Sequence, residues 1–180
     1  MTFFKTAWYV IYTRSHHEKK VADYLSHLQA QYYLPTIKTL KIWASKKKYL
    51  QLPLFPGYVF VKMDSTELYL RSLQIPGVLY YVRTGKQIAE VSESIIAKLH
   101  AIVANNGNDI EVSFEHIIKG SNLNIKAGPF KGFDCEVVEH RGKCKVLVRL
   151  EFLQRNILVD LPSYCLLEDN NAFTTATYYV

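Results

Sequence analysis

The residues able to do covalent or metal chemistry are few and poorly spaced for it. Cys135, Cys144 and Cys165 are an odd number and form no Cys-x-x-Cys pair, so neither a disulfide framework nor a zinc site is expected. They read as small apolar side chains, since free cysteine is among the most buried residue types. Cys144 and His140 mimic a nucleophile and its base. They flank Arg141-Gly142-Lys143, a hairpin turn, and no third group orients the imidazole. His16 and His17 are adjacent, with no carboxylate or cysteine to complete a metal site. There is no P-loop, no Gly-x-Gly-x-x-Gly and no paired-carboxylate constellation. The expectation is a protein without catalytic residues, cofactor or metal.

Binding chemistry is better represented. Net charge is +6. Residues 1–104 hold 14 Lys+Arg against 6 Asp+Glu, whereas residues 105–180 hold 8 against 10. A basic front half fits a polyanion such as nucleic acid; the back half must find its partner by other means. Two stretches go beyond composition. In Pro53-Leu54-Phe55-Pro56-Gly57-Tyr58-Val59-Phe60-Val61, proline and glycine force a turn just before a strand, and Phe55, Tyr58 and Phe60 crowd apolar surface around it. Gly128-Pro129-Phe130-Lys131-Gly132 is a second such turn, with an aromatic at its tip.

The elements that must position these groups follow from periodicity. Trp8 to Tyr12 reads as a buried strand. Ser15 with Glu18 three residues later is a capping-box pattern. Val21, Leu25 and Leu28 then recur at helical spacing, with Lys19, Lys20, Asp23 and His27 largely opposite. Residues 36–52 alternate around Lys46-Lys47-Lys48, a hairpin or long loop with a basic tip. Tyr58–Val61 is a strand and Glu67–Leu73 a helix. Ile75-Pro76-Gly77 is a break and Val78–Val82 a strand. Ser92 caps a helix carrying Ile95, Ile96, Leu99, Ile102 and Val103. That order predicts an α+β fold, helices covering an antiparallel sheet. Turn-rich Asn105 to Asp109 marks a domain boundary. The expected organisation is 1–104 as the first domain, 105–118 as linker, 119–168 as a small β-barrel of short strands, and 169–180 as a frayed tail. No run approaches the ~18 apolar residues of a membrane span, and Met1–Trp8 has no signal-peptide core. A soluble cytoplasmic monomer is therefore expected.

These motifs carry a resemblance. Trp8-Tyr9-Val10, Pro53 to Val61 and Ile75-Pro76-Gly77-Val78 resemble the N-terminal domain of the NusG family, in order and at suitable spacing. Ile125 to Gly132 resembles the start of a KOW domain, an SH3-like barrel, and Phe152-Leu153-Gln154-Arg155 to Pro162 its second half. The likeness spans about Thr6 to Glu168. Tyr12-Thr13-Arg14-Ser15-His16-His17-Glu18-Lys19-Lys20-Val21 is similar to the UpxY group, specialised paralogues that, like RfaH, promote antitermination in long operons, typically for surface polysaccharide.

The resemblance implies a non-enzymatic elongation and antitermination factor working on transcription complexes at the nucleoid. Tyr12, Phe55, Tyr58 and Phe60 match the patch that meets the clamp helices of RNA polymerase. Tyr69, Arg71 and Ser72 match the segment that meets the gate loop. Arg14, His16, Lys20 and Tyr24 match the region from which RfaH-like proteins read exposed non-template DNA. Phe130 and Phe152 match the barrel loops that engage Rho or a ribosomal protein. There the sequence departs from the pattern, with Cys135 where glycine is common and Glu151-Phe152-Leu153-Gln154 lacking the usual glycine. Strong period-two patterning predicts a constitutive barrel. The competing reading is a general RNA-binding or ribosome-associated KOW protein, which would place basic rather than apolar surface at the Phe55–Phe60 turn.

Overall fold

The computed structural model describes residues 5–43, 46–105, 110–113, 120–125, 131, 133–140 and 142–160. It opens with β1 (Ala7–Thr13), α1 (Glu18–His27), β2 (Gln31–Tyr33), a hairpin of β3 (Thr36–Trp43) and β4 (Lys46–Pro53), and β5 (Tyr58–Met63). Next come α2 (Thr66–Leu73), β6 (Val78–Tyr81), the short strands β7 (Arg83–Thr84), β8 (Gln87–Ile88) and β9 (Glu90–Val91), and α3 (Glu93–Asn105). The mixed α+β architecture expected from periodicity is the observed one.

The first sheet is antiparallel, ordered β2-β5-β1-β6, with β9 added alongside β1. Strands β1 and β5 are apolar almost throughout because both faces of the sheet are covered. Val10↔Phe60 and Tyr12↔Tyr58 are opposed in register. Trp8, Val10 and Phe60 share one apolar cluster with Ile96, Leu99 and Ile102 of α3. Tyr9, Ile11, Val59 and Val61 join the other, with Val21 and Leu25 of α1 and the half-buried Leu68 and Tyr69 of α2. A side-chain period of two in the strands thus sends alternate residues to different helices.

Each helix start has a local cause. The Ser65 hydroxyl accepts from Leu68 N at 3.2 Å, and the Ser92 hydroxyl from Ile95 N at 3.3 Å, as N-cap serines do. The α3 start is also tied to the sheet: the Trp8 indole donates to Glu93 at 2.9 Å, and Lys62 pairs with the same carboxylate. The α1 start differs from the capping-box reading. Its N-cap is His17, without a side-chain cap, and Glu18 is turned elsewhere.

After α3 come β10 (Ile110–Ser113), β11 (Ser121–Asn124), β12 (Asp134–His140), β13 (Lys143–Leu150), a 3-10 turn (Glu151–Leu153) and β14 (Arg155–Asp160). They form one antiparallel sheet in the order β10-β14-β13-β12-β11. Residues 110–113, inside the stretch read as linker, are therefore a strand, because Ile110 and Val112 add their apolar side chains to the core. Between β12 and β13, Gly142 stands at φ +74°. Cys135 is buried, which pushes its thiol up; the side chains of Cys144 and His140, and all of Cys165, lie outside the described residues. Lys145, nearly buried, pairs with Glu111 at 2.8 Å and Asp160 at 3.2 Å. Arg149 forks onto Glu136 at 2.8 and 2.7 Å, a bidentate geometry that fixes both side chains. The apolar cluster around Val10 and Phe60 runs on into Val146, Leu150, Leu153 and Ile157, so the two sheets share a continuous core.

Among the described residues no helix is long and apolar enough to cross a membrane. None of their His, Cys, Asp and Glu side chains forms a group of three able to hold a metal ion.

Candidate functional site

Two turns noticed in the sequence converge on the end of β1. Thr13 N donates to Gly57 O, and Arg14 N to Gly77 O, each at 2.8 Å. Both glycines have positive φ, +85° and +105°, a conformation that suits glycine. Both are also closely approached. A Cβ on Gly57 would stand 2.9 Å from the Tyr12 ring, and one on Gly77 2.9 Å from the His17 ring. The Gly57 amide donates to the buried Glu18 carboxylate at 2.6 Å. Glu18 thus ties the first turn of α1 to the Pro56-Gly57 bend, and a charged acceptor on a backbone donor makes a strong bond.

The bend presents tyrosines rather than phenylalanines. Phe55 and Phe60, expected at an exposed contact patch, are 2 % and 0 % exposed. They pack edge-on at 6.2 Å between ring centroids. Their outward placement is corrected: Phe60 shares its sheet face with Val10 and Trp8 under α3, and Phe55 closes the same core. Tyr12 and Tyr58 are half-buried, with ring centroids 5.1 Å apart. Tyr80 of β6, opposite Tyr12, adds a third ring at 5.1 Å and is 54 % exposed. Sequence reading missed Tyr80. Alternation in Tyr80-Tyr81, one ring out and one in, was the signal that could have found it. Burial raises the Tyr58 phenol, with Arg155 pulling the other way. Tyr58 and Tyr80 border a cleft of 640 Å³ whose walls also include Arg83, Glu151, Leu153 and Arg155.

Helix α2 divides its three candidates. Arg71 is exposed and pairs loosely with Glu67 at 3.6 Å. Tyr69 is half-buried, its ring 5.0 Å from Tyr81. Ser72 is fully buried: its hydroxyl lies 2.7 Å from Tyr69 O and 2.5 Å from the Tyr81 hydroxyl. Its expected role as a contact residue is corrected, because it occupies the inward face of α2 and satisfies a buried phenol. Arg14, His16, Lys20 and Tyr24 are all exposed. Lys20 and Tyr24 are neighbours one turn apart on α1, and Arg14 and His16 lie in the loop leading into it. In the C-terminal region, Phe130 and the side chain of Phe152 lie outside the described residues.

Comparison with known proteins decides the lineage. The sequence pattern of the family described as "Transcription termination factor nusG" matches residues 6–100, more than half of the chain. The chain belongs to the NusG family. Curated NusG relatives, each named a transcription termination/antitermination protein, extend the likeness beyond that segment. The NusG of Helicobacter pylori (strain ATCC 700392 / 26695) is 26% identical over 170 residues, covering 86% of this chain and 93% of the relative. That of Campylobacter jejuni is 28% identical over 160 residues, covering 79% and 87%. Among solved structures, the one described as "Domain interaction in Thermotoga maritima NusG" is similar at 23% identity and a TM-score of 0.46, covering 86% of this chain and 93% of that one.

Proposed function

We propose that this NusG-family chain is a non-enzymatic transcription elongation and antitermination factor that docks on RNA polymerase through Tyr12, Tyr58 and Tyr80. The observation that carries the reading is the three-ring surface itself, held on a rigid β1–β5–β6 platform by the Gly57 and Gly77 turns. Tyrosine offers large amphipathic contact area with few rotatable bonds, and packed aromatic anchors dominate interfaces. Phe55 and Phe60 serve this surface from beneath, as its floor. Tyr69 and Arg71 on α2 form the second arm, toward the gate loop. By bridging the polymerase cleft, the factor favours the closed, active state over the open, paused one. A preference of about 1.4 kcal/mol shifts that equilibrium about tenfold.

The exposed set Arg14, His16, Lys20 and Tyr24 supports contact with non-template DNA, cations for phosphates and rings for unpaired bases. The UpxY-like run at residues 12–21 favours an operon-specific role opposing termination, in genes for surface polysaccharide. The C-terminal sheet, as the KOW domain, takes a protein partner such as Rho or a ribosomal protein through the Phe130 and Phe152 loops. The domains divide near residue 105.

The test is capture of core RNA polymerase at high salt by wild type and by Tyr58→Ala with Tyr80→Ala. Capture should survive salt, since apolar docking does not depend on counterion release, and should be lost in the double variant. Salt-sensitive capture, or a double variant that binds normally while folded, would place the docking surface elsewhere. Transcription over a pause-rich template, with Rho added or omitted, then reports whether pausing and termination are suppressed.

A further inference from the structure

The β3–β4 hairpin has no part in the polymerase reading, yet it is the most cationic element of the chain. Residues 36–53 contain five lysines and no carboxylate. The hairpin forms a two-stranded sheet by itself, paired Lys38↔Gln51, Leu40↔Tyr49 and Ile42↔Lys47. Directly opposed residues share a face, so Lys38, Leu40, Ile42, Lys47 and Tyr49 stand together on one side, and all five are exposed. Leu40 is 41 % exposed, Ile42 62 % and Tyr49 60 %. The Lys38 ammonium lies 4.6 Å from the Tyr49 ring centroid. Among the described residues no carboxylate pairs with Lys38, Lys47 or Lys48. The base of the ribbon is anchored, with Thr36 donating to Gln51 Oε1 at 2.9 Å and Lys19 of α1 to Gln51 O at 2.8 Å.

We infer that this face binds single-stranded DNA. Its occupant must satisfy unneutralised ammonium groups and cover flat apolar surface at the same time. Unpaired nucleotides do both, through phosphates on lysine and bases stacked on an aromatic ring. A duplex presents the phosphates but hides its base faces, leaving Tyr49, Leu40 and Ile42 uncovered. DNA is favoured over RNA because thymine carries a methyl group that uracil lacks. The exposed Leu40 and Ile42 side chains suit that methyl. The inference does not depend on polymerase docking.

The experiment is fluorescence anisotropy of the full chain with labelled oligothymidylate of about 15 nucleotides, against oligouridylate and a duplex of the same length. Oligothymidylate should bind tightest. Tyr49→Ala should weaken it about tenfold, within the range of one lost base stack, whereas Tyr49→Phe should retain it. Lys38→Gln with Lys47→Gln should reduce the log–log salt slope by about 1.4. Near-UV circular dichroism checks that each variant is folded, as expected for changes at exposed positions. Arg14→Ala with Lys20→Ala serves as comparator, so that loss confined to that pair assigns the binding to α1 instead. Unchanged binding in the hairpin variants, no binding at all, or a preference for duplex or RNA overturns the inference.

Discussion

Gly57 shows how much of the tyrosine cluster rests on one missing side chain. Its φ of +85° and the 2.9 Å approach of the Tyr12 ring leave no room for a Cβ, while its amide holds the Glu18 carboxylate. Gly57→Ala should therefore cost about 1–2 kcal/mol from backbone conformation alone and displace Tyr12 from Tyr58. Denaturant unfolding would register the loss of stability, and the tyrosine near-UV signal would register the displaced ring. The Pro56-Gly57 turn was legible as a turn. That Glu18 would reach it from 39 positions away was not, because Ser15 and Glu18 also satisfy the local spacing of a capping box, and local spacing carries no information about a distant amide.

At the level of elements, α2 separates two residues that sit side by side in the chain. Arg71 faces solvent, and Ser72 is sealed against Tyr81 with 2.5 Å between hydroxyl oxygens. Ser72→Ala leaves the Tyr81 phenol, already raised chiefly by burial, without that partner. It should destabilise the fold by about 1–3 kcal/mol without changing the polymerase affinity of the molecules that remain folded. Arg71→Ala should do the opposite, sparing the unfolding midpoint, since exposed ion pairs contribute little, and weakening capture. Measuring both quantities on both variants distinguishes packing from contact; affinity loss confined to Ser72→Ala would refute the assignment. The existence of α2 was readable from sequence, as was the period of α3. Which way each polar residue on a short helix would turn depended on where β6 lay.

Across the whole molecule, charge pairing in the C-terminal sheet contributes to the response to pH. Burial pushes the Asp160 carboxyl up, but hydrogen bonds from Lys145 and Lys143 outweigh it and hold the group below its ordinary 3.8. A carboxyl depressed in the folded state stabilises the protein above its unfolded value, and that contribution is lost as pH falls through the folded value. Donation of a hydrogen bond to the Glu111 carboxylate raises Lys145 above 10.5, so its contribution is full below that value and is lost only as pH climbs through the folded one. Asp160→Asn should lower stability at pH ~7 by at most about 1 kcal/mol, because Asp160 is substantially solvent-exposed and screened. The gap from wild type should close as both are taken below pH ~3. Unfolding curves at the two pH values test this, and a gap that stays constant would rule out the ion pairs as its cause. The sequence by itself determined the three helices, the main strands β1, β5 and β6, the Gly57 and Gly77 turns and the family likeness, because periodicity, proline and glycine act over a few residues. Only the tertiary structure decided that Phe55 and Phe60 are floor rather than surface, that Tyr80 completes the cluster, and that Ile110–Ser113 joins the second sheet. An aromatic at a bend is equally good as core or as contact, and the choice falls to whichever distant chain arrives to cover it.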